Sequence, residues 1–172
     1  MLKHLASSYF LFPWLLAPET LKPTPVNALP SLEYFTDACE LDSCIFRDRR
    51  EFKRAGRKIV IRQEFDKNGS RSTGSAVWEG DVVLTKYMAQ ELPNGYFEGK
   101  RVVELGAGTG LGGMVAVLLG AAHVDVTDGD DRVLDLARRN VEANLAPAER
   151  AAVDVAQLRW ESVRAAAPAF HA

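Results

Sequence analysis

Between Arg101 and Asp128 the chain alternates short apolar runs with glycine-marked breaks, a pattern that predicts strand, turn, helix and second strand. Arg101 to Leu105 is apolar and β-branched and stops at Gly106, as a strand covered on both faces does. Leu111 to Leu119 is an apolar run of helical length that stops at Gly120, and His123 to Thr127 then alternates as a second strand. This is half of a nucleotide-binding βαβ unit and places the chain in the α/β class. On the N-terminal side, Glu51 to Phe65 alternates around Gly56 as a β-hairpin, with Ile59, Ile61 and Gln63 on one face and Val60 on the other. Val77 to Leu92 has helical spacing, with Val83, Leu84, Tyr87, Met88 and Leu92 along one stripe, and Pro93, Asn94 and Gly95 end it. On the C-terminal side, Asp131 to Leu145 predicts a helix behind an acid-rich entry, with Asn140 and Asn144 one turn apart. Ala152 to Leu158 reads as a third strand closed by Trp160, and Ser162 to Ala172 has no regular pattern.

Three regions follow from this pattern. Residues 1–30 form an apolar arm and a proline-rich linker, residues 31–75 an extension that carries the hairpin, and residues 76–172 a partial nucleotide-binding domain. The apolar stretch Tyr9 to Leu16 is too short to span a membrane, and Pro13 and Pro18 make it a poor secretory signal, so an arm docked on the domain is the expectation. The run Arg47-Asp48-Arg49-Arg50 reads as solvated surface. At 172 residues with a net charge of −2, the chain is sized for one core and shows no strong electrostatic pull toward nucleic acid. Its two cysteines, Cys39 and Cys44, match neither a zinc-ligand spacing nor a disulfide framework, so reduced thiols and a cytoplasmic location, with the nucleus as an alternative, are expected.

The candidate chemistry lies at the glycines. Gly106, Gly108 and Gly110 let the backbone leave the strand at positive φ and remove the β-carbons that would hold a ligand off the main chain. The following helix directs its free N–H groups toward that ligand. Asp128 ends the next strand at the spacing where a carboxylate accepts hydrogen bonds from ribose hydroxyls. A dinucleotide fingerprint can be matched at Gly108, Gly110 and Gly113, but it begins two residues beyond the turn that the strand end requires. The frame that starts at the strand end is Glu104-x-Gly106-x-Gly108-x-Gly110.

That frame resembles the first motif of S-adenosylmethionine-dependent methyltransferases with the Rossmann-like, seven-strand fold. The ordered set VWEG, VVELGAGTGLGG, VTDGD, NVEANL and LRW resembles the lysine methyltransferases of methyltransferase family 16, over about Arg50 to Trp160. The resemblance implies a protein-lysine N-methyltransferase using S-adenosylmethionine, with a protein substrate and neither nucleic acid nor membrane as partner. It implies that Trp78 flanks the cofactor, that Gly106, Ala107, Gly108 and Gly110 pass against it, and that Asp128 holds the ribose. Trp160 would lie by the adenine and Glu104 near the amino group. The family needs no histidine as acid or base, so His4, His123 and His171 are read as non-catalytic. The family's pattern continues into a fourth strand that Glu161 to Ala172 does not match. The expected fold is therefore the N-terminal half of the seven-strand domain preceded by a hairpin, inactive and poorly stable alone, with its first strand as an open edge. Two other readings stay open: a non-catalytic interaction module built on this half-fold, and a nicotinamide-dependent oxidoreductase.

Overall fold

The computed structural model describes residues 9–10, 47–64 and 72–160. Its strands are β1 (Tyr9–Phe10), β2 (Arg49–Arg54), β3 (Arg57–Arg62), β4 (Arg101–Leu105), β5 (His123–Asp128) and β6 (Val153–Gln157). The helices are α1 (Glu79–Gln90), α2 (Leu111–Leu118), α3 (Asp131–Asn144) and the single turn α4 (Pro147–Arg150). Strands β1, β4, β5 and β6 form one parallel sheet in that order, and β2 and β3 pair separately as an antiparallel hairpin. The expected strand, turn, helix, strand unit is therefore present, and the third strand lies beside the second.

The first strand is not left as a bare edge. Tyr9 and Phe10 pair in parallel with Arg101 and Val102 on the side of β4 away from β5. These two residues belong to the apolar stretch expected to dock on the domain. The predicted linker, Cys39, Cys44 and the stretch from Glu161 onward lie outside the described residues.

Alternation in β2 turns Arg50, Phe52 and Arg54 inward, so the expectation that Arg50 belongs to a solvated run is corrected. Arg50 is buried because its donors are satisfied: Nη1 donates to the Val77 carbonyl at 2.8 Å and Nη2 to Glu79 Oε1 at 3.4 Å. Both guanidinium groups lie over the Phe52 ring, at 5.1 Å for Arg50 and 5.7 Å for Arg54. The two-residue turn Ala55-Gly56 has positive φ at both positions, the hand that suits the twist of a tight hairpin. Ile59, Ile61 and Gln63 are buried on one face, as their alternation predicts.

The expected stripe of the first helix is rotated. Its buried positions are Val82, Thr85, Lys86 and Met88, whereas Tyr87 is exposed and Val83 and Leu84 are only half-buried. Thr85 can face inward because its hydroxyl donates to the Asp81 carbonyl at 2.8 Å and accepts from Arg54 Nε at 3.2 Å. One apolar cluster runs from Phe52, Ile59 and Ile61 through Val82 and Met114 to Val124 and Val126, which joins the hairpin to the sheet.

Asn140 and Asn144 explain their one-turn spacing. From α3 they act as a side-chain strand along the outer edge of β3. Asn140 Oδ1 accepts from Arg62 N at 2.9 Å and its Nδ2 donates to the carbonyls of Arg62 and Thr109, both at 3.1 Å. Asn144 Oδ1 accepts from Val60 N at 2.7 Å and its Nδ2 donates to Val60 O at 2.9 Å. Asn140 is fully buried, so Asn140→Ala strands the buried Thr109 carbonyl and removes two part-buried bonds to the Arg62 backbone. The expected loss is roughly 2–4 kcal/mol, read as a lower urea midpoint, with a smaller loss for Asn144→Ala.

Candidate cofactor site

The loop leaving β4 is tied down on both sides. Thr127 Oγ1 donates to the Glu104 carbonyl at 2.6 Å and Ala107 N donates to the Thr127 carbonyl at 2.8 Å, so the β4–β5 contact continues past the strand end. Gly106, Gly108 and Gly110 all have positive φ. At Gly108 a β-carbon would also lie 3.0 Å from the Gly74 carbonyl oxygen. The segment after the hairpin therefore packs directly on the glycine loop. An open cleft of about 1380 Å³ lies over this loop, with Trp78, Asp81, Glu104, Gly106, Asp128 and Trp160 among its walls.

Most of the expected site residues meet there. Trp78 and Trp160 are 52% and 65% exposed, so neither is a core tryptophan. The Trp78 indole N–H donates to the Thr73 carbonyl at 2.6 Å, which fixes its ring. Trp160 covers Gly106, with its Cζ2 3.6 Å from where a β-carbon would stand. Ala107 and Gly108 line the cleft. Asp128 accepts from Gly108 N at 3.0 Å and from Asp130 N at 3.1 Å, which holds the loop and leaves its carboxylate with further acceptor positions. Gly110 is displaced from the expected role. It starts α2, and its bare Cα faces Ala137 and Val126 rather than the cleft.

Glu104 is not a surface strand end. It is 8% exposed, and its Oε2 accepts from Gly113 N at 2.9 Å at the start of α2. Burial drives its pKa well above the usual carboxylate range, and the charge of Asp81 drives it further, against the backbone N–H groups of Gly113 and Gly112. A β-carbon on Gly112 would collide with Glu104 Oε1, and one on Gly113 would stand 2.8 Å from Glu104 Oε2. The sequence pattern after Gly110 is explained by this contact, because only glycine leaves room for the buried carboxyl.

Three cleft residues were not anticipated. Asp81, on the first turn of α1, is pushed up to about 7 by burial, against the attraction of Arg54 and Arg50. Its signal in the sequence is its place three residues after Trp78, which reads equally well as an acid at a helix N-terminus. Thr109 lines the cleft and is 1% exposed, and its Oγ1 is the one buried side-chain polar atom without a hydrogen-bond partner among the described residues. Asp130 caps α3 at Arg132 N, and its hydrogen bond with the Arg132 side chain holds its carboxyl below the usual range.

A family model described as lysine methyltransferase matches residues 55–169, two thirds of the chain. The chain belongs to this lysine methyltransferase family. Zebrafish protein N-lysine methyltransferase METTL21A is 36% identical over 81% of the chain and 56% of its own length. Mouse EEF1A lysine methyltransferase 3 is 37% identical, covering 79% of the chain and 52% of that protein. Arabidopsis calmodulin-lysine N-methyltransferase is also 37% identical, over 79% of the chain and 40% of its own length. The chain thus spans about half the length of these curated relatives. A solved structure from Streptococcus mutans described as an S-adenosylmethionine-dependent methyltransferase superposes with a TM-score of 0.50 at 20% identity, covering 73% of the chain and 30% of that structure, and supports the Rossmann-like fold.

Membership in a lysine methyltransferase family speaks against the nicotinamide reading and makes S-adenosylmethionine the cofactor to test against the cleft. The donor set fits it. Two exposed aromatic faces, a glycine-rich loop and several carboxylates in the cleft wall suit an adenosine joined to a cationic amino acid.

Two outcomes follow for the ligand-free protein. Asp81 has an ordinary pKa of 3.8 and a folded value of about 7, so within that window the folded chain holds a proton that the unfolded chain has released. Its contribution to stability therefore falls as pH rises from about 4 to 7. Asp81→Asn should gain stability relative to the parent between pH 5 and pH 8 in urea titrations. Separately, Gly108→Val places a β-branched residue at a φ of 55° against the Gly74 carbonyl. Cofactor binding should be lost in calorimetry while the circular dichroism spectrum is kept.

Proposed function

We propose that the protein transfers a methyl group from S-adenosylmethionine to the side-chain amine of a lysine in a protein substrate. The observation that carries this reading is the glycine loop and its walls, set in a chain of the lysine methyltransferase family. The names of the relatives point the same way, since each acts on lysine. Bound S-adenosylmethionine supplies an activated methyl group on a sulfonium, so the chemistry needs alignment more than acid–base catalysis.

In this reading Trp160 offers its face to the adenine, worth about 1 kcal/mol beyond burial. Asp128 accepts from the ribose hydroxyls, Gly106 to Gly108 let the backbone approach, and Trp78 closes the opposite side. The acceptor amine must arrive neutral, and transfer from water into a narrow channel lowers an ammonium's pKa. We place the protein in the cytoplasm.

Calorimetry with S-adenosylmethionine and with NAD tests the cofactor reading, and transfer of labelled methyl groups to lysine in lysate proteins tests the activity. S-adenosylmethionine should bind tighter than NAD, and Asp128→Ala should weaken it by roughly 1–3 kcal/mol. Tighter binding of NAD would refute the assignment. Binding without transfer would favour the non-catalytic module.

A further inference from the structure

The face of the sheet turned away from α2 carries a polar cluster made by three neighbouring strands. Val124 and Val126 of β5 pack under α2, where a β-carbon on Gly113 would meet both, so alternation turns His123 and Asp125 to the other face. Asp154 joins them from β6, in register with Asp125, and Arg101 joins them from β4, in register with His123. His123 Nε2 stands 3.1 Å from Asp125 Oδ1 and 3.5 Å from Asp154 Oδ2, and one ligand atom from each of the three residues lies within 4.8 Å of the others. Strand pairing, not a loop, sets these positions.

We propose that His123, Asp125 and Asp154 form a structural site for a divalent transition-metal ion of the zinc type, which clamps the edge strand β6 to β5. One ring nitrogen carries at most one hydrogen, so it can donate to only one of the two carboxylates that flank it. Among the described residues Asp154 has no partner other than this ring. An ion answers both carboxylates at once, and the imidazole then offers a lone pair in place of a hydrogen. Zinc binds histidine nitrogen and carboxylate oxygen at about 2.0–2.2 Å, which puts neighbouring ligand atoms of a tetrahedral site about 3.4 Å apart. The separations of 3.1 and 3.5 Å bracket that value. Asp154 is the outermost ligand, with its side chain 72% exposed, so it has room to close the third edge and leave the fourth position to water.

The class of ion follows from the ligand atoms. One nitrogen with two carboxylate oxygens suits zinc and its first-row neighbours, whereas magnesium and calcium prefer six or more oxygens. Two carboxylates and a neutral imidazole carry two negative charges, which a divalent ion cancels. Arg101 approaches Asp125 at Oδ2, 3.8 Å away, and leaves Oδ1 facing the ring. The cleft lies at the other end of β5, at Asp128, roughly 16 Å along the strand at the usual rise per residue. An ion here therefore holds a strand and touches neither cofactor nor substrate. Its bearing on the cleft is through β6, which leads directly to Leu158 and Trp160 in the cleft wall. Leu158 N donates to the Asp128 carbonyl at 2.9 Å beyond the far end of β6, and the ion adds a tie near its start.

The test is calorimetric titration of zinc chloride, and separately of magnesium chloride, into the full chain, freed of metal by a chelator and carrying no affinity tag. His123→Gln and Asp154→Asn serve as variants, and circular dichroism checks that each is folded. The parent should bind zinc and gain thermal midpoint with it, and should do neither with magnesium. Each variant should bind zinc at least about tenfold more weakly and lose most of that gain, as the removal of a ligand requires. Cys39, Cys44, His4 and His171 are kept in both variants, so zinc held by those residues survives the substitutions. Absence of zinc binding by the folded parent would overturn the proposal. So would an affinity that either folded variant leaves unchanged, or magnesium binding as tight as zinc binding, which marks no more than attraction to acidic groups.

Discussion

The buried carboxyl of Glu104, seated against the first turn of α2, is the constraint on which the rest of the structure depends. It fixes where β4 ends, where the helix begins and how far apart they stand, because Oε2 is held by Gly113 N and there is no space for a side chain at Gly112. The consequence is a floor of bare backbone at the mouth of the sheet, where a nucleotide can approach the main chain. The cost is an acid far from water. That cost is eased by the N–H donors of Gly112 and Gly113 at the start of α2.

The hairpin is tied to this centre by polar contacts rather than by sheet extension. Asn140 and Asn144 stand in for a neighbouring strand along β3, and Asn140 also holds the Thr109 carbonyl in the glycine loop. Gln63 donates to the Arg47 carbonyl and accepts from Val77 N, so the hairpin end and the approach to Trp78 move as one piece. Through Gly74 that piece touches Gly108. One side of the cofactor cleft is thus set by residues that precede the nucleotide-binding unit in sequence, and a change in the hairpin would reach the loop through few intermediaries.

Methyl transfer from an activated sulfonium rewards positioning, and effective alignment can supply about 7–11 kcal/mol of the barrier. The features that hold this cleft are suited to that task. The loop is bonded to β5 at both Ala107 and Gly108, Trp78 is fixed by its indole N–H, and Asp128 is braced by two backbone donors. The parts that meet the cofactor are set on strand ends and helix starts rather than on long loops.

The order of elements, the glycine frame and Asp128 were legible from local periodicity and spacing along one βαβ unit, whereas Trp78, Glu104 and Trp160 were expected at the cleft from the resemblance to the methyltransferase family. Four features depended on packing between distant segments. Arg50 turned inward because alternation from β2 met the Val77 carbonyl and the Phe52 ring. The α1 stripe rotated because Arg54 made a buried Thr85 cheaper than a buried Tyr87. Gly110 served helix packing rather than the cleft because Ala137 of α3 closes over it. Asp81 looked like an ordinary acid at a helix start, and only the convergence of α1, β2 and β4 brought it into the cleft wall near Glu104. Local patterns determine which residues can form a strand, a turn or a helix. Which of their polar groups lose water is decided by what packs against them, and that is a property of the folded chain alone.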